Sequence, residues 1–113
     1  MELFSNLIYE YKKGMRDLAM YTCKKEDYFL YVEHLHKNKI EFVMNDIGND
    51  KINLFFGNPD CLKILNQFSS DKLDKLSVNE DFILGIMLGY SRNEQYERLL
   101  RKKSESGNLA CSI

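Results

Sequence analysis

The sequence predicts a small α+β domain in which a three-stranded sheet of order 1-3-2 packs with about five helices. Three observations indicate this class. Two apolar runs flank a Gly-Asn-Asp turn, which is typical of a β-hairpin. Two Ser-x-x-Glu capping boxes begin helices in the C-terminal half. The chain has 113 residues, of which 44% are apolar, so it can bury one core and has the size of one domain.

The first three elements follow from local patterns. Residues 5–14 are predicted to form a short helix, which Gly14 can end. Three apolar side chains share one face of it: Leu7, Ile8 and Tyr11. The apolar run from Leu18 to Cys23 is predicted to be the first strand. A helix ending near Asn38 follows, and its apolar stripe consists of Tyr28, Val32 and Leu35, flanked by Phe29 and His36.

The hairpin is the clearest local pattern in the chain. Residues 40–47 and 51–56 are predicted to be strands joined by a three-residue turn. That loop length pairs Met44 with Leu54 and Phe42 with Phe56. Because side chains alternate between the two faces of a strand, six apolar residues should line one face: Ile40, Phe42, Met44, Ile52, Leu54 and Phe56. The other face carries Val43, Asn45, Asn53 and Phe55.

Three helices complete the predicted domain. Asn58 and Pro59 suit the N-cap and first position of a helix ending near Phe68. The two capping boxes begin helices that reach about residue 90 and about residue 103. We expect one domain over residues 1–103 and a flexible tail over 104–113. Because consecutive strands usually neighbour one another, half of a ferredoxin-like fold, β-α-β-β, is the topology that fits best.

Charge and cysteine content restrict the function and the compartment. Sixteen basic and 17 acidic residues give a net charge of −1, which argues against a nucleic-acid partner. No apolar stretch approaches the roughly 20 residues of a membrane-spanning helix, and the N-terminus lacks a signal-peptide pattern. The cysteines have no short spacing, so a reducing cytoplasm is favoured over a disulfide framework. Small basic clusters, on the last helix and at Lys12, Lys13 and Arg16, fit solvated helix faces.

Three segments share their residues and spacing with one protein family: NLIYEYKKGMRDLAMYT at 6–22, KINLFFGNPDCLKIL at 51–65 and DKLSVNEDFILGIMLGYSRNEQYERLLRKK at 74–103. Through them the chain resembles a small bacterial family known as domain of unknown function number twenty-twenty-three. The resemblance implies a compact α+β fold and a homodimer. Since members are often encoded near flavodoxins, it also implies an accessory to a flavodoxin-type electron carrier. The family has no established activity, so no catalytic residue is transferred.

One turn is a candidate ligand site. Gly57 to Asp60 joins a strand to a helix N-terminus, a geometry that binds anions in other proteins. Cys61 lies in the first helical turn, where the helix dipole lowers a thiol pKa while Asp60 opposes it. Asn58, Cys61 and Arg16 are the candidate ligand-binding residues. A capped turn with a buried packing cysteine is the alternative, and one glycine alone does not make a phosphate-binding loop.

A second set of residues is a candidate dimer interface. If helices cover one face of the sheet, the other face should present four apolar side chains: Ala19, Tyr21, Val43 and Phe55. Such a patch needs a helix or a second subunit over it. Gly85 and Gly89 lie on one face of an apolar helix and allow close packing, either within the chain or across a two-fold axis. The candidate interface residues are Tyr21, Val43, Phe55, Gly85 and Gly89.

Neither a metal, a cofactor nor self-contained catalysis is expected. His34 and His36 point in roughly opposite directions on a helix, and no cysteine pair has ligand spacing. Glu80 is explained as a capping-box residue, and no nucleophile motif is present. We therefore expect a non-catalytic homodimeric binding module. The competing hypothesis is a small enzyme or an anion sensor with its ligand between Asn58 and Cys61.

Overall fold

The computed structural model describes residues 1–105, and these form the predicted succession of helices and strands, α-β-α-β-β-α-α-α. The helices are α1 (Glu2–Lys12), α2 (Tyr28–Lys37), α3 (Pro59–Asn66), α4 (Val78–Met87) and α5 (Arg92–Glu105). The strands are β1 (Leu18–Lys24), β2 (Glu41–Gly48) and β3 (Lys51–Gly57). Residues 106–113, most of the predicted tail, lie outside the described part. The chain divides into two compact units, residues 1–67 and a second unit that begins at Phe68.

β3 is the central strand and pairs antiparallel with both neighbours, so the strand order is β1-β3-β2. The α+β class and the predicted order 1-3-2 are confirmed. Met44 pairs with Leu54, and Phe42 pairs with Phe56, as the hairpin pattern predicted.

The hairpin reaches this register by a different route from the predicted three-residue turn. Only Asn49 and Asp50 form the turn, with φ values of 54° and 58°, which is the geometry of a two-residue type I′ turn. A bulge in β2 leaves Ile47 between two paired residues without a partner on β3. Because the bulge takes up the residue that the turn releases, the pairing farther along the strands is unchanged.

One face of the sheet packs against α1 and α2 and forms the main core. Its buried residues are Phe4, Ile8, Ala19, Cys23, Leu35, Ile40, Ile52, Leu54 and Phe56. Phe4 is fully buried, and its ring centroid lies 4.8 Å from that of Tyr31. The sequence prediction missed Phe4 because it began the first helix at residue 5. The helix begins at Glu2, which places Phe4 one turn before Ile8 on the buried face.

The predicted grouping of β1 side chains with the opposite face is wrong. The register pairs Ala19 and Tyr21 with core residues of β3, and directly paired residues point to the same face. Both therefore lie on the main-core face, whereas Val43 and Phe55 lie on the other. Alternation within the hairpin does not determine which face of the sheet each side chain of β1 occupies. Only the pairing of β1 with β3 determines it.

The second unit contains a helical hairpin, α4 and α5, joined by polar contacts and by the stacked rings of Phe82 and Tyr96, whose centroids are 6.0 Å apart. Ser77 and Glu80 form the predicted capping box, with hydrogen bonds of 3.0 and 3.1 Å. Glu80 also accepts hydrogen bonds from the amide and the hydroxyl of Ser69. Asp81 on α4 accepts two hydrogen bonds from the Arg98 guanidinium on α5, at 2.7 and 3.2 Å. Carboxylates therefore hold both the start of α4 and its pairing with α5.

α4 ends earlier than predicted. Its last residue is Met87, because the backbone at Gly89 has a φ of +82° and the Tyr90 amide donates back to the Gly85 carbonyl. Gly85 is itself buried, and a Cβ there would collide with the side chain of Gln95 on α5. No helix within residues 1–105 combines the length and apolar character needed to cross a membrane.

Candidate functional site

The turn between β3 and α3, the first candidate site, is fixed by the backbone of Asp17. The amide of Asn58 donates to the Asp17 carbonyl at 2.8 Å. Gly57, at a φ of +138°, lies so close to the same carbonyl that any Cβ would collide with it. Sequence reasoning missed Asp17, because its role depends on its backbone and leaves no pattern in the sequence.

Two of the three backbone positions that an anion would use at the start of α3, Pro59 and Asp60, offer it no free amide. Asn58 Oδ1 accepts a hydrogen bond of 2.9 Å from the Asp60 amide, which confirms Asn58 as the N-cap. Pro59 has no amide hydrogen to offer. The carboxylates of Asp17 and Asp60 act electrostatically on the same turn. An anion there would have to displace the cap and approach two negative charges.

Cys61 is a packing residue in this structure. Its exposed fraction is 8%, and burial, followed by the charges of Asp17 and Asp60, raises the pKa of its thiol. Burial and the two carboxylates thus outweigh the helix dipole, which the position of Cys61 suggested would lower this pKa. A thiol with a raised pKa stays protonated at neutral pH and is a poor nucleophile.

Arg16 is held by α1. Its Nε and Nη2 donate to Glu10 Oε1 at 3.1 and 3.0 Å, so an ion pair connects the helix to the loop before β1. The Glu10 carboxylate offsets the positive charge that an anionic ligand would need. The structure thus brings Asn58 and Cys61 together with Asp17, and it pairs the Arg16 guanidinium with Glu10.

The histidines and Cys23 occupy separate surroundings. His34 is half-buried beside the core ring Phe4, whereas His36 is exposed on α2. Cys23 is buried, and desolvation is the main cause that raises the pKa of its thiol. Within residues 1–105, no three His, Cys, Asp or Glu side chains form a group that could hold a metal ion. Cys111 lies outside the described residues.

Two tyrosines form a hydroxyl pair at the edge of the core. The Tyr21 and Tyr31 hydroxyls are 3.4 Å apart, and both rings pack on Phe4 with centroids 5.1 and 4.8 Å away. The hydrogen bond with Tyr21, followed by desolvation, raises the pKa of Tyr31 to about 12. Tyr31 is therefore neutral across the physiological range, and its hydrogen bond with Tyr21 is a structural contact.

The five candidate interface residues occupy different surroundings. Tyr21 belongs to the aromatic cluster of the core face, while Val43 is half-buried and Phe55 is 1% exposed on the opposite face. In the second unit Gly85 packs against Gln95 of its own chain, and Gly89 is exposed after the end of α4. Contact of these residues with a second copy stays a prediction.

The C-terminal ends of α1 and α2 form a positively charged surface that sequence reasoning treated as a solvated helix face. We call it the basic end, and it consists of Tyr9, Lys12, Lys13, Asn38 and Lys39. Lys12 Nζ donates to Asn38 Oδ1 at 3.1 Å, which brings the two helix ends together. Lys13 Nζ lies 5.7 Å from the ring centroid of Tyr9, which is 58% exposed. None of the three lysines joins an ion pair among the described residues. Positive charges at these C-terminal ends interact favourably with the dipoles of both helices, and the three lysines are exposed to solvent.

Comparison with known proteins places the whole described fold in one family. Residues 2–102 match the family described as Protein of unknown function (DUF2023), so the match begins with α1 and extends into α5. No curated protein matches the sequence. Together with the confirmed α+β fold of strand order 1-3-2, this match agrees with the resemblance carried by the three segments quoted above. The chain therefore belongs to the DUF2023 family, whose function is unknown.

Proposed function

We propose that this protein is a bacterial, cytoplasmic binding module without catalysis of its own, which acts as a homodimer and docks a flavodoxin-type electron carrier. The observation that carries the docking part is the basic end, where Lys12, Lys13 and Lys39 are exposed and Lys13 lies over the exposed Tyr9 ring. Cations around an exposed aromatic ring suit an acidic protein surface. Weak electron-transfer complexes use small interfaces, for which steering by charge sets the rate of encounter.

The chemistry of the α3 turn supports binding over catalysis. A catalytic or anion-sensing site there would need a reactive thiol, a free cation or open amide donors. Burial raises the pKa of the Cys61 thiol, Glu10 compensates Arg16, and Asn58 caps the helix. The enzyme or anion-sensor alternative therefore has the weaker support.

The test is a calorimetric titration of the full chain with a flavodoxin encoded in the same genome, at low and at high salt. We expect binding at low ionic strength that weakens as salt is added, because salt screens exposed charges. Exchanging the two lysines at the C-terminal end of α1, Lys12→Glu with Lys13→Glu, should weaken the binding at least about tenfold, because like charges would then face each other.

The matched control makes the same change in charge on exposed lysines of the second unit, Lys72→Glu with Lys75→Glu. It should bind as the wild type does. Docking through the basic end would be wrong if the wild type gave no heat at either salt concentration. It would be equally wrong if the control lost as much affinity as the Lys12 and Lys13 variant.

A further inference from the structure

β2 is an edge strand whose outer side is open. In the order β1-β3-β2, that side meets no other strand of the described residues. Natural sheet edges are commonly protected by charged side chains, above all lysine, by proline, by a bulge or by being very short. β2 has eight residues without lysine or proline, and its charged residues, Glu41 and Asp46, and its bulge lie toward its two ends. Met44 and Ile47 are 41% and 43% exposed, and the bulge at Ile47 leaves Glu41 to Asp46 regularly paired. The edge can therefore accept another strand.

The two ends of β2 have complementary shapes. At its first residue, Glu41, a cavity of about 450 Å³ opens between α2, β2 and α3. Its apolar walls include Phe42, Val43 and Leu62. At the other end the bulge leaves Ile47 exposed and without a partner on β3. One end of the edge thus offers an apolar hollow and the other an apolar side chain.

An exposed ring on α2 lies along the same edge. Two contacts align α2 and the turn before it with β2. Lys25, three residues before α2, forms an ion pair of 2.7 Å with Asp46, and the ring of His36 on α2 has its centroid 5.7 Å from that of Phe42. Phe29 lies between Lys25 and His36 in the chain and is 78% exposed, more than any other large apolar side chain described. Its ring contacts that of Tyr28. Phe29 is two helical turns before His36, so both side chains project from the same side of α2, the side on which His36 meets Phe42 of β2.

We propose that β2 pairs antiparallel with β2 of a second copy of this chain, around a two-fold axis at Met44. The proposal rests on the homodimer of the proposed function and assigns its interface. Pairing about Met44 brings Ile47 of each copy opposite Glu41 of the other, at the mouth of the cavity. The sheet continues to six strands, and both α2 helices lie on one face of it. The two Phe29 rings then approach each other near the axis and leave water together.

A second copy fits this edge better than an unrelated extended peptide. A peptide strand would satisfy the open backbone of β2 and leave the Phe29 ring in water. A two-fold interface requires that a projection and the hollow that receives it lie on one surface, at equal distances from the axis. Ile47 and Glu41, which borders the cavity, lie equally far along the strand on either side of Met44.

Sedimentation equilibrium of the full chain tests this pairing. Met44→Lys places two ammonium groups opposite each other at the axis, so we expect the dissociation constant of the dimer to rise about 100-fold or more. The matched control is Met15→Lys, the same exchange at a residue that is 68% exposed outside β2, and it should dimerise as the wild type does. Circular dichroism checks that both variants fold.

A charge-pair experiment adds a result that misfolded variants could not give, namely a dimer that forms only when two variants are mixed. Met44→Lys and Met44→Glu should each be monomeric alone, and an equimolar mixture should form a dimer, because opposite charges then meet at the axis. If the wild type is a dimer and Met44→Lys associates as tightly as Met15→Lys, or the mixture stays monomeric, the β2 pairing is wrong while the homodimer stands. A wild-type mass of 13.4 kDa at high micromolar concentration overturns both. Carrier docking is measured separately, by the calorimetric titration.

Discussion

The two units of the chain are held together by different interactions. In the first unit, rings and aliphatic side chains of α1, α2 and the sheet form a closed core, and Phe4 and Phe56 are fully buried in it. In the second unit, α4 and α5 are joined by the carboxylate of Asp81, by the close approach of Gly85 to Gln95 and by a stacked pair of rings, Phe82 and Tyr96, of which Tyr96 is 47% exposed. The first unit should therefore respond most to lost volume, and the second to lost charge or to added volume. The surfaces proposed for binding both lie on the first unit.

The largest effect should come from the core of the first unit. Phe4→Ala removes a fully buried ring, and we expect the free energy of unfolding to fall by about 3–5 kcal/mol in a urea titration. Leu3→Ala changes a side chain that is 62% exposed on the same helix, so it should cost less than about 0.5 kcal/mol. Equal losses for the two variants would contradict the placement of Phe4 in the core.

A smaller effect should follow from the carboxylate between α4 and α5. Asp81→Asn weakens two hydrogen bonds to Arg98 and should cost about 1 kcal/mol in the same urea titration. Asp74→Asn, at an exposed position of the second unit, is the control and should cost little. If the two variants lost the same stability, the ion pair would contribute nothing measurable.

The pH dependence of the same contact has a definite sign. The hydrogen bond with Arg98 is the main cause that lowers the pKa of Asp81. A carboxyl whose pKa is lower in the folded state stabilises the fold above its unfolded pKa of about 4 and loses that contribution as pH falls through the folded value. Acid below about pH 4 should therefore weaken the wild type more than Asp81→Asn. A parallel acid profile for the two proteins would contradict this.

Adding volume between α4 and α5 should lower the free energy of unfolding about as much as removing the Asp81 carboxylate does. Gly85→Ala puts a Cβ against the buried Gln95 side chain. We expect the free energy of unfolding to fall by about 1 kcal/mol, even though alanine has a higher helix propensity than glycine. Combining it with Gln95→Ala should recover most of that loss relative to Gln95→Ala alone. A double-mutant cycle with no coupling would show that the two positions do not press on each other.

The smallest effect concerns the tyrosine pair of the first unit. Because the hydrogen bond with Tyr21 is the main cause of the raised pKa of Tyr31, Tyr21→Phe should return that pKa toward about 10 in an ultraviolet titration. In the wild type this contact stabilises the fold below the unfolded pKa of about 10 and is lost as pH rises through about 12. Tyr9→Phe, which changes an exposed ring, should leave the titration of Tyr31 unchanged.

Local patterns in the sequence predicted the elements of the first unit well but not the face on which every side chain lies. Alternation and loop length were enough to pair Met44 with Leu54, because both act within one hairpin. The phase of β1 depends on pairing across about 30 residues, and this is why Tyr21 was assigned to the wrong face. Phe4 was missed because no cap side chain marks the start of α1.

The candidate site was less predictable than the fold. The motif around Asn58 correctly indicated a helix N-cap, which is a local property. Its chemistry depends on Asp17, whose backbone reaches the turn only after β1 and β3 have paired. The partner of Arg16 could likewise be any of several carboxylates, and the structure selects Glu10. The basic end required two helix ends, far apart in sequence, to meet at Lys12 and Asn38.

Docking of an electron carrier on the first unit is tested by a nuclear magnetic resonance titration of the isotope-labelled full chain with the flavodoxin of the same genome at low salt. We expect the largest amide shifts at the ends of α1 and α2, around Lys12, Lys13 and Lys39, and we expect them to disappear as salt is added. Shifts confined to residues 68–105, or no shifts at a saturating carrier concentration, would contradict docking on the first unit.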